Sequence, residues 1–295
     1  MGFENSQQRN TDARIDRSQN KFEHPVLRRM QGKAEQILAE DAVDPVRFIE
    51  LYGGENVTRD LKKVERLKSE FAPHESKGAA DVFEAVFHQH VELSDWLGPN
   101  AETIRASEYD DIVNGIDLVV EFNEGDTARH LALGVDVTFG SLSMQKKFQR
   151  IKAEIEANKL ATVKYFETHG YQGSLTQTPR VVVGVELDKV IQLAGLWERG
   201  DNKSLGSHIT KDIVADAIER QLRSFLFYAQ SVRADDAVKS YTRAYNTFRN
   251  VHTTRNGFTE DRSRIQLMQA DRVYQAILEN LKQFQSPSRG QQSLV

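Results

Sequence analysis

The residues best able to do chemistry are carboxylates on predicted strands near the middle of the chain. Asp117 and Glu121 alternate with apolar residues in segment 116–122, and Asp136 does the same in segment 131–139. Such alternation puts the carboxylates on one face of each strand. Because a turn-rich stretch joins the two segments, they are typical of a β-hairpin that brings the two aspartates together.

Two interpretations of this acidic pair are open from the spacing alone. Like charges held a few Å apart repel each other unless a cation or a proton lies between them. Mg²⁺ or Mn²⁺, which prefer hard oxygen ligands, would suit Asp117 and Asp136. The alternative is that this face of the hairpin is solvated and that both residues are ordinary surface charges.

The amino-acid composition excludes several classes of protein and of active site. The 295 residues include no cysteine, which excludes a disulfide scaffold, a thiol nucleophile and a thiolate metal site. Hydrophobic residues make up 39% and charged residues 28%, as in globular proteins, and no run approaches the roughly 20 apolar residues of a membrane helix. We therefore expect a cytoplasmic protein, and the polar start is unlike a signal peptide.

The helices and strands around these carboxylates are predicted from the periodicity of apolar residues and from residues typical of helix starts and ends. A helix over about 79–94 precedes the hairpin and a helix over about 143–158 follows it, with further strands predicted at 162–166 and 180–186 across a loop. From about 187 to Phe284 the pattern is helical, with a break at 255–257. Upstream, Asp44 and Pro45 are typical of a helix start, and Gly53-Gly54 of its end.

The fold class predicted from this order is α/β (α+β), with a small mixed sheet between helical extensions. The predicted parts are a disordered lead over 1–24, an N-terminal helical extension over 25–75 and an α/β core over 76–200. A C-terminal helical region over 201–285 and a flexible tail over 286–295 complete the chain.

The core also resembles a known superfamily. A helix with a Glu, a strand opened by Gly115-Ile116-Asp117, and a strand ending in Val135-Asp136-Val137-Thr138 resemble the PD-(D/E)XK nucleases over roughly residues 79–186. The resemblance implies a restriction-endonuclease-like αβββαβ core. It implies that Asp117 and Asp136 hold Mg²⁺ or Mn²⁺, and that a carbonyl near Val137 completes the ligand set.

The resemblance also implies two further catalytic residues. Thr138 stands where the family has lysine, and some members carry that lysine on the following helix, where Lys147 is preferred over Lys146 and Lys152. Lys147 would position the nucleophile or neutralise charge on the phosphate. The helical Glu falls on Glu84, with Glu92 as competitor, and would orient a metal-bound water.

Three neighbouring features have open interpretations. Asp110 and Asp111, expected in a loop before the strand, would serve as outer-sphere ligands or cap a turn, and capping is favoured. His88 lies one helical turn after Glu84 and would approach the same site, but a helix-surface His more often has no special role.

The predicted C-terminal helices differ from the rest of the chain in their positive charge and in their Arg and aromatic residues. Residues 219–295 contain 12 Lys and Arg against 7 Asp and Glu, a net charge of +5, although the whole chain has −4. Arg and aromatic residues interleave there, which suits a phosphate backbone and stacked bases, although aromatic residues at helical spacing are more often core. The sequence predicts a divalent-metal-dependent nuclease-like protein, or else a non-catalytic interaction or nucleic-acid-binding protein on a degenerate nuclease fold.

Overall fold

The structure, a computed structural model, describes residues 24–70, 77–124, 127–135, 141–253 and 262–285. The predicted disordered lead, apart from His24, and the predicted flexible tail lie outside these ranges, as does the predicted break at 255–257. The described chain is a mixed α and β structure. In it, no helix has both the length and the apolar character needed to cross a bilayer.

The N-terminal extension is helical, and the residues predicted to start and end a helix there lie at the ends of helical elements. Its helices are α1 (Pro25–Glu40), a 3₁₀ turn (Pro45–Phe48), α2 (Ile49–Tyr52) and α3 (Gly54–Glu70). Asp44 caps the 3₁₀ turn by accepting a hydrogen bond from the Val46 N–H at 2.9 Å. Gly53 ends α2 with a φ of 81°, a left-handed conformation that favours glycine, and Gly54 already belongs to α3.

The central sheet has four strands in the order β1-β2-β3-β6. Helix α4 (Lys77–Leu93) leads into β1 (Ala101–Arg105), and helix α5 (Glu108–Asn114) connects β1 to β2 (Leu118–Glu124). Strand β3 (Thr127–Val135) pairs antiparallel with β2, which confirms the predicted hairpin. Helix α6 (Ser141–Glu156) then crosses over toward β6 (Arg180–Val183), which runs parallel to β3.

A second hairpin covers one face of this sheet. Strand β4 (Ala161–Thr168) pairs antiparallel with β5 (Tyr171–Thr178), which lies where a loop was predicted. Val119 of β2 packs with Val163 and Phe166 of β4 in a separate apolar cluster. The Glu121 side of β2 is therefore not a solvated face, and Glu121 itself is only 8% exposed.

The sequence patterns missed three elements for identifiable reasons. Strand β1 is only five residues long and helix α5 only seven, too short for periodicity to show. Strand β5 is rich in Gln, Thr and Gly, a composition that favours turns, and pairing with β4 overrides it. The first predicted strand begins at Leu118 rather than Ile116, and α5 occupies the predicted loop.

Helices form the rest of the chain. They are α7 (Leu187–Glu198), α8 (Asn202–Ser207), α9 (Ile209–Ser231), α10 (Asp235–Thr253), α11 (Arg262–Gln269), α12 (Arg272–Leu281) and a 3₁₀ turn (Lys282–Phe284). Most of the aromatic residues on α9 and α10 are core, as the commoner interpretation holds: Phe225, Tyr228, Tyr241 and Phe248 are at most 3% exposed. One apolar cluster runs from Val26 of α1 through α4 and the sheet to Phe284.

Candidate functional site

Arg105, the last residue of β1, lies among carboxylates at the end of the sheet where β2 begins. Its Nε lies 3.0 Å from Glu84 Oε1, and its Nη2 donates to Asp111 Oδ2 at 2.9 Å. Its Nη1 donates to the backbone carbonyl of Asp117. The arginine side chain is 12% exposed. We call Arg105 with Asp81, Glu84, Asp111 and Asp117 the acidic cluster.

Helix α4 supplies two carboxylates of the acidic cluster. Asp81 and Glu84 are three residues apart and therefore lie on the same face of the helix. The helix is held rigidly because it buries apolar residues against α1, α7 and β1: Val82, Phe83, Val86, Phe87 and Val91. Glu84 is 6% exposed, so its carboxylate is fixed inside the protein rather than in solvent.

Helix α5 and its last turn supply the other two. Ser107 caps the start of α5 by accepting a hydrogen bond from the Asp110 N–H at 3.1 Å. Gly115 ends the helix with a φ of 60°, and its N–H bonds back to the carbonyls of Asp110 and Asp111. This left-handed turn redirects the chain sharply, so that Asp111 on the helix and Asp117 just before β2 reach the same place.

The acidic cluster is short of positive charge. Burial, reinforced by the charge of Asp117, raises the pKa of Asp111 to about 7 and that of Glu84 well above its usual value. Burial also raises the pKa of Asp81 to about 6. Arg105 opposes all three shifts, and Lys77 opposes that of Asp81 more strongly. The pKa of Arg105 itself is raised by Glu84 and Asp111 although burial acts to lower it. These two cations are fewer than the four carboxylates of the cluster.

Some carboxylate oxygens in the cluster also lack hydrogen bonds. Asp81 Oδ2 and Glu84 Oε1 are buried and accept no hydrogen bond within the described ranges. The short Arg105–Glu84 contact is an ion pair without the alignment of a hydrogen bond. A buried carboxylate oxygen with no donor is costly, so this arrangement favours an added cation or a proton.

The neighbouring Asp110 behaves differently from Asp111. It accepts hydrogen bonds from the backbone N–H groups of Lys164 and Tyr165 at 2.7 and 2.9 Å, and from Ser107 Oγ and Asn114 Nδ2 at 2.7 Å each. Asp110 thus ties α5 to β4. The residue that caps α5 is Ser107, so Asp110 anchors β4 rather than capping a turn, whereas Asp111 turns toward Arg105.

The structure brings together Glu84 and Asp117, two of the predicted catalytic residues. The competitor Glu92 is exposed and accepts from the Thr103 N–H at 3.4 Å, near the middle of β1. Asp136 and Thr138 lie outside the described residues. In the parts that are described, no group of three His, Asp or Glu side chains is arranged to hold a metal ion.

The lysines and His88 have other surroundings. Lys147 is half-buried on α6, Lys146 is exposed, and Lys152 lies over the ring of Tyr228 at 5.4 Å. The cation that contacts Glu84 is Arg105 rather than Lys147. His88 places Nδ1 2.7 Å from Thr103 Oγ1 and Nε2 3.1 Å from Asp41 Oδ2, so it joins α4 to β1 and to the end of α1.

Comparison with protein-family models, with curated proteins and with solved structures gives no match.

Sequence reasoning missed Arg105 and Asp81. Arg105 ends a strand too short to be recognised, so its place beside Glu84 depends on tertiary structure alone. Asp81 had a usable signal, since its spacing of three from Glu84 puts both on one helical face.

Proposed function

We propose that this protein is a divalent-metal-dependent nuclease-like hydrolase that cleaves phosphodiester bonds of DNA or RNA at the acidic cluster. The observation that carries the proposal is the convergence of Glu84 and Asp117 at one end of the central sheet. Strand β2 begins at Leu118 opposite Leu133 of β3, so the start of β2 and the end of β3 lie side by side. Asp117 precedes that start by one residue, and Asp136 is the residue after Val135.

The order of the elements supports the same proposal. Helix α4, strands β1 to β3, helix α6 and strand β6 follow in the order α-β-β-β-α-β, with helix α5 inserted between β1 and β2 and the β4–β5 hairpin between α6 and β6. In the sheet β1, β2 and β3 pair antiparallel and β6 runs parallel to β3, so the strands of this order form one sheet. The helical Glu and the Asp before the second strand occupy the positions that the resemblance assigns to catalysis.

The chemistry of the donor set fits Mg²⁺ or Mn²⁺. The cluster offers carboxylate oxygens, the ligands these ions prefer, and two of these oxygens are buried without a donor. Asp117 and Asp136 would hold the ion. A bound Mg²⁺ or Mn²⁺ lowers the pKa of a coordinated water and offsets charge on the scissile phosphate.

The other residues would orient the reactants. Glu84 is fixed by burial on a rigid helix, so its carboxylate would accept a hydrogen bond from the attacking water and align it. Lys147 would position the nucleophile or offset phosphate charge from α6. Arg105 holds Glu84 and Asp111 in place through its ion pairs, which makes it a positioning residue.

The experiment is cleavage of mixed DNA and RNA with Mg²⁺ or Mn²⁺, and of the small phosphodiester bis(p-nitrophenyl) phosphate. We expect Asp117→Asn, Asp136→Ala and Glu84→Gln each to lower the rate about 100-fold or more, and Lys147→Ala to lower it less. Glu102→Gln, which removes an exposed carboxylate from β1, is the matched control and leaves the rate unchanged. No metal-dependent cleavage by the wild type, or full cleavage by Asp136→Ala, would refute the proposal.

A second candidate function is a non-catalytic interaction or nucleic-acid-binding protein on a degenerate nuclease fold. Arg105 favours it, because a buried guanidinium already lies between Glu84 and Asp111 where added positive charge would act. In that case the ion pairs are structural, and removing Arg105 leaves buried carboxylates uncompensated at a cost of about 3 kcal/mol.

Arg105→Gln therefore separates the two functions. In a metal site, this variant removes a competing cation and Mn²⁺ binds at least as tightly as to the wild type. In a purely structural ion network, the variant loses stability, and Mn²⁺ at millimolar concentration restores none of it.

A further inference from the structure

A groove lies between α9 and α12 on the C-terminal side of the chain. It has a volume of about 490 Å³ and is lined by residues of both helices and of the following 3₁₀ turn, among them Arg220, Arg223, Phe227, Leu281, Lys282 and Phe284. None of the described lining residues is acidic. The groove thus combines three cationic side chains with an apolar floor.

The three cations differ in how strongly they are already engaged. Arg220 donates to Asp216 at 2.5 Å, and Lys282 forms an ion pair with Glu279. Arg223 is exposed and has no ion pair with any described carboxylate. An exposed guanidinium presents a fork of N–H donors that matches phosphate oxygens.

Of the two aromatic residues that line the groove, Phe227 is exposed and Phe284 is buried. Phe227 is 56% exposed, whereas its neighbours Phe225 and Tyr228 on α9 are 0% and 3% exposed. Arg223 and Phe227 are four residues apart, so they lie on the same face of α9. Leu281 and Phe284 form a buried apolar floor beside them, at 3% and 1% exposure.

We propose that this groove binds a single strand of nucleic acid, with a base stacked on Phe227 and the adjoining phosphate held by Arg223 and Lys282. The inference deepens the proposed nuclease function and rests on it for the class of ligand. Cationic side chains along a groove with an aromatic platform are the features with which proteins hold unpaired strands without reading their sequence.

The apolar part of the groove distinguishes this ligand from a simple anion. A bare phosphate would use Arg223 and Lys282 but leave the exposed ring of Phe227 in water, whereas a nucleotide covers that ring. The charge is also complementary, because the region 219–295 is net positive within an acidic chain. Exposed aromatic surface next to unpaired cationic charge therefore favours a nucleotide strand.

The test is fluorescence anisotropy of the full chain with a labelled single strand of about 12 nucleotides, in EDTA so that no cleavage occurs. We expect Phe227→Ala to weaken binding about tenfold. Arg223→Gln should weaken it and reduce the dependence of log affinity on log salt by about one. Controls are Leu267→Ala, an equally exposed apolar residue, and Arg243→Gln, an exposed arginine on α10; both leave binding unchanged.

The outcomes separate this inference from the proposed function. Failure of the wild type to bind the strand, or equal effects of the groove and control variants, would overturn the groove. Equally tight binding of inorganic polyphosphate that is insensitive to Phe227→Ala would also overturn it. Cleavage of bis(p-nitrophenyl) phosphate depends on the acidic cluster alone, so its persistence in Phe227→Ala and Arg223→Gln would leave the proposed function standing.

Discussion

Asp110 and Asp111 are adjacent residues of one short helix, yet they have opposite surroundings. Asp110 is fully buried and receives four hydrogen bonds, two of them from backbone N–H groups of β4. Asp111 shares a single guanidinium with Glu84 and lies beside the carboxylate of Asp117. The first environment satisfies a carboxylate with local donors, whereas the second leaves several carboxylates short of positive charge.

The two aspartates therefore represent two kinds of buried carboxylate. A buried carboxylate with a full set of donors contributes to folding, because any loss leaves backbone N–H groups unpaired. Burial raises the pKa of Asp110 as well, so the difference lies in the donors: the carboxylates of the acidic cluster share Arg105, and two of their buried oxygens accept no hydrogen bond within the described residues. Such groups occur preferentially at functional sites, where a ligand completes the charge balance.

We expect substitution of Asp110 to lower the free energy of unfolding strongly. Asp110→Ala leaves the N–H groups of Lys164 and Tyr165 without an acceptor and detaches α5 from β4. We expect the free energy of unfolding to fall by about 3 kcal/mol, measured by urea denaturation.

The matched variant for this prediction is Asp111→Ala, which removes the same group from the next position. Because Asp111 accepts a hydrogen bond from Arg105 but also lies against the carboxylate of Asp117, its loss should change stability by about 1 kcal/mol or less. Equal destabilisation by the two variants would break the distinction between the two carboxylates.

The pH dependence of stability is the next effect in size. Burial raises the pKa of Asp111 to about 7 and that of Asp81 to about 6, above the unfolded value near 4. Between about pH 4 and 7 the folded chain therefore holds protons that the unfolded chain has released, so stability falls as pH rises. Above pH 7 this contribution is fully lost.

Asp111→Asn isolates that contribution, because the other titrating groups are common to both proteins and cancel in the difference. Going from pH 5 to pH 8, the wild type should lose about 1 kcal/mol more stability than Asp111→Asn, measured by thermal unfolding. A wild type that gains stability relative to the variant over this interval would show that Asp111 is not held in a cation-poor site.

Much of the fold could be predicted from the sequence because its signals are local. Alternation across β2 and β3 predicted the hairpin, and Asp44 with Pro45 predicted the start of the 3₁₀ turn. The apolar periodicity of α4 gave a helix within about two residues of its true bounds. Only β4 of the β4–β5 hairpin was predicted, because β5 has a turn-like composition and depends on pairing with β4.

The candidate site was predictable only in part. Asp117 was chosen by strand alternation and Glu84 by resemblance, and the structure places both beside Arg105. Arg105 was not predicted and Asp111 was left between two roles, because these residues meet through the left-handed turn at Gly115 and the pairing of β1 with β2. Contacts of this kind depend on tertiary structure and give no periodic pattern in the amino-acid sequence.

Calorimetric titration of Mn²⁺ into the wild type at pH 8 measures whether the acidic cluster binds a metal ion. We predict saturable binding of one ion, its loss in Asp117→Asn and its retention in Glu102→Gln. At pH 6 the same titration should release protons, because a bound cation displaces them from carboxyls with raised pKa values. No saturable binding by the wild type, or equal binding by Asp117→Asn, would contradict the claim that the acidic cluster is a metal site.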